Sequence, residues 1–263
     1  MWRIVVRPSE AEPVRVRILG IGMGPGQVTH EVADALRSVD YVLAAAKGDD
    51  DGLLALRREI VEAFPGAGGP AEIVVVPDPV RDRSAGLTDA NYEGAVADWH
   101  DARAARYADV LRERGGTAAF LVWGDPSLYD STIRVVEKVR ALGLGVEFDV
   151  LPGISAPQLL AARHRIVLHE VGRSVHVTTG RRLQEAVAAG QDNVVAMLNP
   201  PPDRLDLTGL DDWTVWWGAN LGATGERLVS GRLSEALPAI VDAREEAKAE
   251  AGWVMDLFLV RRT

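Results

Sequence analysis

The sequence contains no cysteine, and it has no long apolar run. Without cysteine, disulfide bonds, thiolate metal sites and a thiol nucleophile are all excluded. The apolar runs stay well short of the roughly 18 residues that would indicate a membrane span. The first ten residues, M-W-R-I-V-V-R-P-S-E, are too charged for a secretory signal, so the expected location is the cytoplasm.

Positive charge is also scarce. Lys and Arg total 29 against 38 Asp and Glu, which gives a net charge of −9. This balance argues against nucleic acid as a partner, because non-specific binding to nucleic acid requires a positively charged surface. A few arginines can still bind an anionic small molecule. With 47% hydrophobic and 25% charged residues, the 263-residue chain is expected to be globular, as one large domain or two smaller ones.

The most informative stretch is residues 120–131, F-L-V-W-G-D-P-S-L-Y-D-S. Its apolar start predicts a buried strand, which Gly-Asp-Pro ends because Gly permits unusual backbone angles and Pro fixes φ. Ser127 or Asp130 is predicted to cap a helix over residues 131–142, whose valines share one face. The turn then lies at the carboxyl end of a strand, where open α/β sheets bind ligands. Taken alone, such a turn is more often an ordinary strand–helix connection.

Another glycine-rich turn, G-I-G-M-G-P-G at residues 20–26, follows an alternating strand earlier in the chain. It is not a dinucleotide fingerprint, because Pro25 or Gln27 occupies the third glycine position of G-x-G-x-x-G in either phase. An NAD-dependent oxidoreductase would also need an acidic residue after the second strand, where residues 44–46 are alanines. A third turn, L-P-G-I-S at residues 151–155, follows another alternating strand.

The periodicity predicts an α/β protein of two domains, over residues 14–153 and 154–263, after an irregular arm at residues 1–13. The first domain has the order β-α-β-α-β-α-β-α-β, which indicates a mostly parallel sheet with helices on both faces. The second is expected to hold a mixed sheet. Its predicted strands cover residues 175–178, 194–198, 214–217, 227–229 and 253–260, and its sizeable helices cover 181–189 and 233–249.

In this order, G-I-G-M-G-P-G, W-G-D-P-S-L-Y and L-P-G-I-S-A resemble the motifs of the tetrapyrrole methylases, S-adenosylmethionine-dependent methyltransferases of the cobalamin and sirohaem routes. The resemblance covers roughly residues 16–260. Within the family, R-D-R at 81–83, Y-E-G-A-V-A-D-W-H-D-A-R at 92–103, A-A-R-H-R-I at 161–166 and T-T-G-R-R-L at 178–183 resemble deacetylating members of the aerobic cobalamin route. The resemblance implies methylation of precorrin-5 at ring carbon C-1 with release of acetate.

The resemblance also implies a fold of two α/β domains flanking a cleft, usually as a homodimer, with S-adenosylmethionine held between the domains. The cofactor contacts implied by the motifs are Pro25, Trp123, Gly124, Asp125, Leu128, Ser155, Ala156, Met197 and Leu221. Near Leu221, where the last of these contacts would lie, this sequence departs from the commoner family form, which has a glycine at about that place.

The acceptor that the resemblance implies is a macrocycle ringed by carboxylates, for which Arg and His are natural partners. On composition alone, the polar face of helix 92–114 indicates a solvated surface; the resemblance makes substrate contact the favoured interpretation. The residues predicted to bind substrate are Arg81, Arg83, His100, Arg103 and Tyr129.

Transfer of a methyl group from a sulfonium needs no metal, and none is predicted. Loss of the acetyl group requires water to attack a carbonyl, so a general base is expected. His100, Asp125 and Asp130 are candidates, and their spacing selects none of them. The alternatives are another precorrin methyltransferase, a diphthamide-type methylase, or a non-catalytic homologue that binds S-adenosylmethionine or a tetrapyrrole.

Overall fold

The structure, a computed structural model, describes residues 13–46, 52–79 and 89–262. Its first half contains a five-stranded, fully parallel sheet with the order β3-β2-β4-β1-β5. The predicted arm and the R-D-R motif fall almost entirely outside the described residues. The strands are β1 (Val14–Gly20), β2 (Tyr41–Ala46), β3 (Glu72–Pro77), β4 (Thr117–Val122) and β5 (Val146–Leu151).

Helices cover both faces of this sheet, as predicted. They are α1 (His30–Leu36), α2 (Gly52–Ala63), α3 (Asp89–Arg114) and α4 (Thr132–Ala141). The side chains of strand β4 are buried on both faces of the sheet. Phe120 and Val122 belong to one hydrophobic core, and Ala119 and Leu121 belong to the core on the other face. Because side chains alternate along a strand, a central strand buried on both faces is apolar throughout.

Two of these helices begin where the sequence supplies an oxygen for a free N–H group. The hydroxyl of Thr29 accepts the N–H of Val32 at 3.2 Å and caps α1. At the start of α4, Oδ1 of Asp130 accepts the N–H of Thr132 at 2.6 Å, so of the two predicted caps it is Asp130 that binds the helix backbone.

The second half forms a mixed sheet with the order β6-β7-β10-β8-β9, in which only β6 and β7 are parallel. The α/β fold class with a parallel first sheet and a mixed second one is thereby confirmed. The division at residues 153 and 154 stays a prediction. The elements are α5 (Ala156–His164), β6 (His176–Thr179), α6 (Leu183–Ala188), β7 (Asn193–Met197), β8 (Thr214–Ala219), β9 (Arg227–Arg232), α7 (Leu233–Ala251) and β10 (Asp256–Arg261).

The predicted strand over residues 253–260 begins three residues late. Asn220 explains the difference, because its side chain donates to the carbonyl of Trp253 at 3.2 Å and accepts the N–H of Met255 at 2.9 Å. These bonds hold the segment after α7 as a loop, and β10 starts only at Asp256. None of the helices in the described ranges is long and apolar enough to cross a membrane.

Candidate active site

Three turns meet at the carboxyl edge of the first sheet, because the strands that precede them lie side by side in the order β4, β1, β5. In chain order, the first turn (residues 20–26) follows β1, the second (the Gly-Asp-Pro turn after β4) follows at residues 124–131, and the third (residues 151–155) ends β5. The first turn joins the second through two backbone hydrogen bonds. Gly22 donates to the carbonyl of Gly124 at 3.2 Å, and Gly124 donates to the carbonyl of Gly22 at 2.7 Å. Motifs that are far apart in the sequence therefore form one structure.

Asp125 joins the second turn to the third. Its Oδ2 accepts the N–H of Gly153 at 3.0 Å, and its Oδ1 accepts the N–H of Ser127 at 2.9 Å and also the hydroxyl of Ser127. Burial raises the pKa of Asp125, but these hydrogen bonds outweigh burial and hold the pKa below its ordinary value. Both carboxylate oxygens thus serve to position the turns.

The turns approach so closely that one of them leaves no room for a side chain. A Cβ on Gly153 would lie 2.2 Å from the carbonyl oxygen of Gly124. In front of Gly124 itself a Cβ would fit at ordinary contact distances, 3.5 Å from Met23 Sδ, 3.9 Å from Ser155 Cα and 4.0 Å from the backbone N of Ala156, although its φ of +71° favours glycine. We call the space in front of Gly124, bounded by Met23 and Ser155, the cradle.

The wall of the cradle toward the second sheet is hydrophobic. Met23 packs in one cluster with Trp123, Ala156, Met197 and Leu221, side chains from both halves of the chain. Leu221 is almost fully buried, whereas Met197 is partly exposed at the end of β7. The cluster brings four of the nine predicted cofactor contacts together.

The other predicted cofactor contacts lie in the turns themselves. Pro25 begins a short 3-10 helix in the first turn, and Leu128 donates its N–H to the carbonyl of Asp125 at 3.1 Å. Ser155 precedes α5, and its N–H donates to the side chain of Gln158 at 2.8 Å. The structure thus assembles the predicted set in one region, and their role in binding stays a prediction.

Two buried polar atoms in these turns have no hydrogen-bond partner within the described part of the chain, Nε1 of Trp123 and Oε1 of Gln27. One is a donor and the other an acceptor, and buried groups of this kind are nearly always satisfied in proteins. Together with the cradle in front of Gly124, they fit a polar ligand that binds against the turns. No group of three or more His, Asp or Glu among the described residues is arranged to hold a metal ion.

A cavity of about 1140 Å³ adjoins the cradle. It exceeds the roughly 300–1,000 Å³ of most small-molecule sites, so it suits a large ligand. Val122, the last residue of β4, lies on the cavity wall, and Trp123 follows it directly. The ring of Trp123 meets the ring of Trp253 edge to face, with 6.4 Å between the ring centres, and Trp253 lines the cavity. The wall comes from the carboxyl ends of β2 and β4, from α2 and α3, and from residues 251–255.

The cavity carries a buried ion pair. Arg103 donates from Nε at 3.0 Å and from Nη2 at 2.7 Å to the same oxygen of Asp78, and the two side chains are 17% and 5% exposed. The guanidinium also lies 3.9 Å from the ring centre of Trp99, whose Nε1 donates to the carbonyl of Pro79. Arg103 is therefore fixed in place, with much of its charge already balanced by Asp78.

A second arginine faces the same cavity. Arg57 lies on α2 and donates from Nε to the carbonyl of Leu121 at 3.1 Å. A third polar group, the Tyr107 hydroxyl, lies within electrostatic range of both arginines and of Asp78 and Asp130. The polar wall of the cavity thus combines two cations, two carboxylates and a phenol.

The remaining predicted substrate residues are placed differently. Arg81 and Arg83 lie outside the described residues. His100 is 8% exposed and its ring lies 5.2 Å from that of Trp99, but it does not line the cavity. Tyr129 is 44% exposed, with a φ of +51°, and lies near Arg182 of the second half. Of the five, only Arg103 is found on the cavity wall among the described residues.

Among the residues of the cavity wall that sequence reasoning did not assign to the site are Arg57, Asp78, Tyr107 and Trp253. Tyr107 lies on the polar face of the predicted helix 92–114, which carries no separate signal for it. Asp78 carries a signal in hindsight, since it directly follows the third predicted strand. Arg57 and Trp253 offered none, because an arginine on an amphipathic helix and a tryptophan near a strand are both ordinary.

The chain is similar to known proteins over nearly its whole length. The sequence profile of the tetrapyrrole (corrin/porphyrin) methylases matches residues 17–237. A precorrin-6A synthase [deacetylating] from Sinorhizobium sp. is 40% identical over 260 residues, which is 97% of each chain. A putative cobalamin synthesis related protein (CobF) from Corynebacterium diphtheriae has a TM-score of 0.76 at 35% identity, over 94% of this chain and 98% of that one.

A more distant structure has the same fold. The uroporphyrin-III C-methyl transferase from Thermus thermophilus, solved in complex with S-adenyl homocysteine, is 20% identical with a TM-score of 0.58. The match covers 94% of this chain and 97% of that chain.

Proposed function

The chain belongs to the tetrapyrrole methylases, and on that premise we propose that it is a deacetylating precorrin-6A synthase, which methylates precorrin-5 at C-1 and releases acetate. The reaction joins two ligands, a methyl donor and a macrocycle. The observation that carries the proposal is that a cradle of three turns adjoins a cavity of about 1140 Å³ with arginines on its wall. The 40% identity to a protein of that name supports the choice among members of the family.

The cradle is the proposed site of S-adenosylmethionine, which supplies an electrophilic methyl group on a sulfonium. We propose that Gly124, Asp125 and Leu128 line its polar side, and that Ala156, Met197 and Leu221 form its apolar wall. Trp123 Nε1, which has no hydrogen-bond partner among the described residues, is a donor at the same place. Pro25 and Ser155 complete the set from the first and third turns.

The cavity is the proposed site of the tetrapyrrole. Arg103 and Arg57 offer guanidinium donors to its carboxylates, and charge-assisted bonds of this kind contribute about 1.5–3 kcal/mol each. Trp123, beside the cradle, and Trp253, on the cavity wall, form an apolar surface next to the place where the two ligands would meet. Exclusion of water there favours transfer to ring carbon over hydrolysis of the donor. Arg81, Arg83, His100 and Tyr129 stay predicted substrate contacts.

The proposal is tested by incubating the protein with precorrin-5 and S-adenosylmethionine that carries a labelled methyl group. Mass analysis of the products is expected to show one labelled methyl group gained and the acetyl group lost, with acetate and S-adenosylhomocysteine in equal amounts. A methylated product that keeps its acetyl group would instead identify another precorrin methyltransferase. Binding of both ligands without turnover would identify a non-catalytic homologue.

A homodimer is proposed on the family resemblance alone, and the cytoplasm stays the expected location. Light scattering of the purified protein tests the first part, with an expected mass of twice 28.3 kDa. A mass of one chain would contradict it.

A further inference from the structure

One carboxylate on the cavity wall keeps an unused oxygen. Asp130 lies in the loop between β4 and α4, where its Oδ1 accepts the N–H of Thr132. Its Oδ2 makes no hydrogen bond or ion pair with any part of the chain that the structure describes. The first contact fixes the side chain, and the second oxygen stays able to accept a proton.

A phenol hydroxyl on the same wall is also unused. Tyr107 is 5% exposed, and its ring packs 4.9 Å from that of Phe120. Among the described residues its hydroxyl has no hydrogen-bond partner, although it lies within electrostatic range of Asp130. Burial raises the pKa of this hydroxyl, so it keeps its proton at neutral pH and is available as a donor.

Resting on the proposed function, we infer that Asp130 is the general base and Tyr107 the hydrogen-bond donor of the acetate-releasing step. Attack of water on the acetyl carbonyl of the substrate requires both a base and a hydrogen-bond donor. A base must remove a proton from the attacking water, and a donor must stabilise the negative charge that builds on the carbonyl oxygen. Asp130 and Tyr107 line the same cavity and supply one of each.

The step balances without any further reactant. Asp130 Oδ2 takes one proton from water as the water oxygen bonds to the acetyl carbon, and the carbonyl electron pair moves to the oxygen that accepts the Tyr107 hydrogen bond. When that pair returns, the bond between the acetyl carbon and C-1 breaks and acetic acid leaves. The electron pair of the broken bond stays on C-1, which is then the nucleophile that receives the methyl group. Asp130 afterwards returns its proton to solvent.

The other two predicted bases are placed less suitably. Both oxygens of Asp125 are engaged, one by Ser127 and one by Gly153. His100 is buried on α3 and does not line the cavity. Of the three candidates, Asp130 alone is on the cavity wall.

The test compares wild type with Asp130→Asn and Tyr107→Phe, each given precorrin-5 and S-adenosylmethionine. Asn retains an oxygen for the N–H of Thr132, and Phe retains the packing on Phe120, so both variants are expected to fold. Asp130→Asn should slow acetate release about 100- to 10,000-fold. Tyr107→Phe should slow it about 100- to 1,000-fold. Tetrapyrrole and cofactor affinities should stay near wild type, which separates catalysis from binding.

Matched controls are Asp109→Asn and Tyr41→Phe. Asp109 is an exposed aspartate on α3 that does not line the cavity. Tyr41 is the first residue of β2, and its hydroxyl donates to the carbonyl of Gly115. Both controls should release acetate at the wild-type rate. Wild-type acetate release by folded Asp130→Asn or by Tyr107→Phe would overturn the inference, and either variant decides alone if the other fails to fold. If wild type itself methylates the tetrapyrrole without releasing acetate, the proposed function fails, and the inference fails with it.

Discussion

The ion pair between Arg103 and Asp78 allows a prediction about two single substitutions, which differ in whether a buried charge is left without its partner. Arg103→Ala removes the cation and leaves a carboxylate that is 5% exposed without a counter-charge. Asp78→Asn removes the anion, but Asn still offers an oxygen to Arg103, which stays stacked on Trp99. The structure therefore predicts that the arginine substitution is the more damaging of the two.

The magnitudes follow from burial. An unpaired buried charge costs about 3–5 kcal/mol, so Arg103→Ala should lower the free energy of unfolding by that amount. Asp78→Asn weakens charge-assisted hydrogen bonds worth about 1.5–3 kcal/mol. The double variant should lose less than the sum, by about 2 kcal/mol, because the neutral amide introduced by Asp78→Asn does not require a cation. An exposed pair, Arg114 with Glu72, is the control, and its coupling should stay below about 1 kcal/mol.

The assay is urea unfolding of wild type, the two single variants and the double variant, with tetrapyrrole affinity measured on each. Arg103→Ala should weaken tetrapyrrole binding, whereas Asp78→Asn should not, since it removes a negative charge from a cavity that receives carboxylates. Additivity of the two stability changes within about 0.5 kcal/mol would refute the coupling. Equal loss of tetrapyrrole affinity in both single variants would refute the assignment of the cavity.

Three further outcomes are expected. Gly153→Ala should abolish cofactor binding in calorimetry, because its Cβ would lie 2.2 Å from a backbone oxygen, whereas Gly145→Ala, with no neighbouring atom within 4 Å, should bind normally. Asp125→Asn should lower the free energy of unfolding by about 1–2 kcal/mol at neutral pH. Folding lowers the pKa of Asp125 below its ordinary value of 3.8, so the contribution of its carboxylate to the free energy of unfolding is complete above that pH. The difference in free energy of unfolding between wild type and Asp125→Asn should therefore shrink as the pH falls below 3.8. Arg57→Met should weaken tetrapyrrole binding but not cofactor binding. Arg58→Met is the control, because Arg58 lies on the same helix but not on the cavity wall, and it should change neither affinity. Equal effects of the two substitutions on tetrapyrrole affinity would contradict a cavity role for Arg57.

The elements and their order could be predicted because they depend on local patterns. The apolar run before Gly124 indicated a buried strand, and β4 has that environment. Thr29 and Asp130 contact the starts of their helices because a short polar side chain reaches only the nearest N–H groups. The start of β10 was predicted wrongly, since Asn220, far earlier in the chain, holds the segment out of the sheet.

The candidate site divides in the same way. The turns that form the cradle carry glycines where φ is positive or where other backbone atoms approach closely, as at Gly22, Gly24 and Gly153, so their motifs are visible in the chain. The cavity wall has no such signature. Arg57, Tyr107 and Asp78 come from three separate segments, and each is ordinary among its sequence neighbours.

By itself, the sequence determined the fold class, the family and the three turns, because these depend on periodicity and on residues with restricted backbone angles. Only the tertiary structure decided which polar side chains share the cavity. Strand order placed β4 beside β1 and β2, and packing of α2 and α3 on the sheet then set Arg57 and Arg103 around one space. Partners of this kind are chosen by three-dimensional proximity, so Asp78 neutralises Arg103 across 25 residues while Asp130 keeps a free oxygen within the described chain.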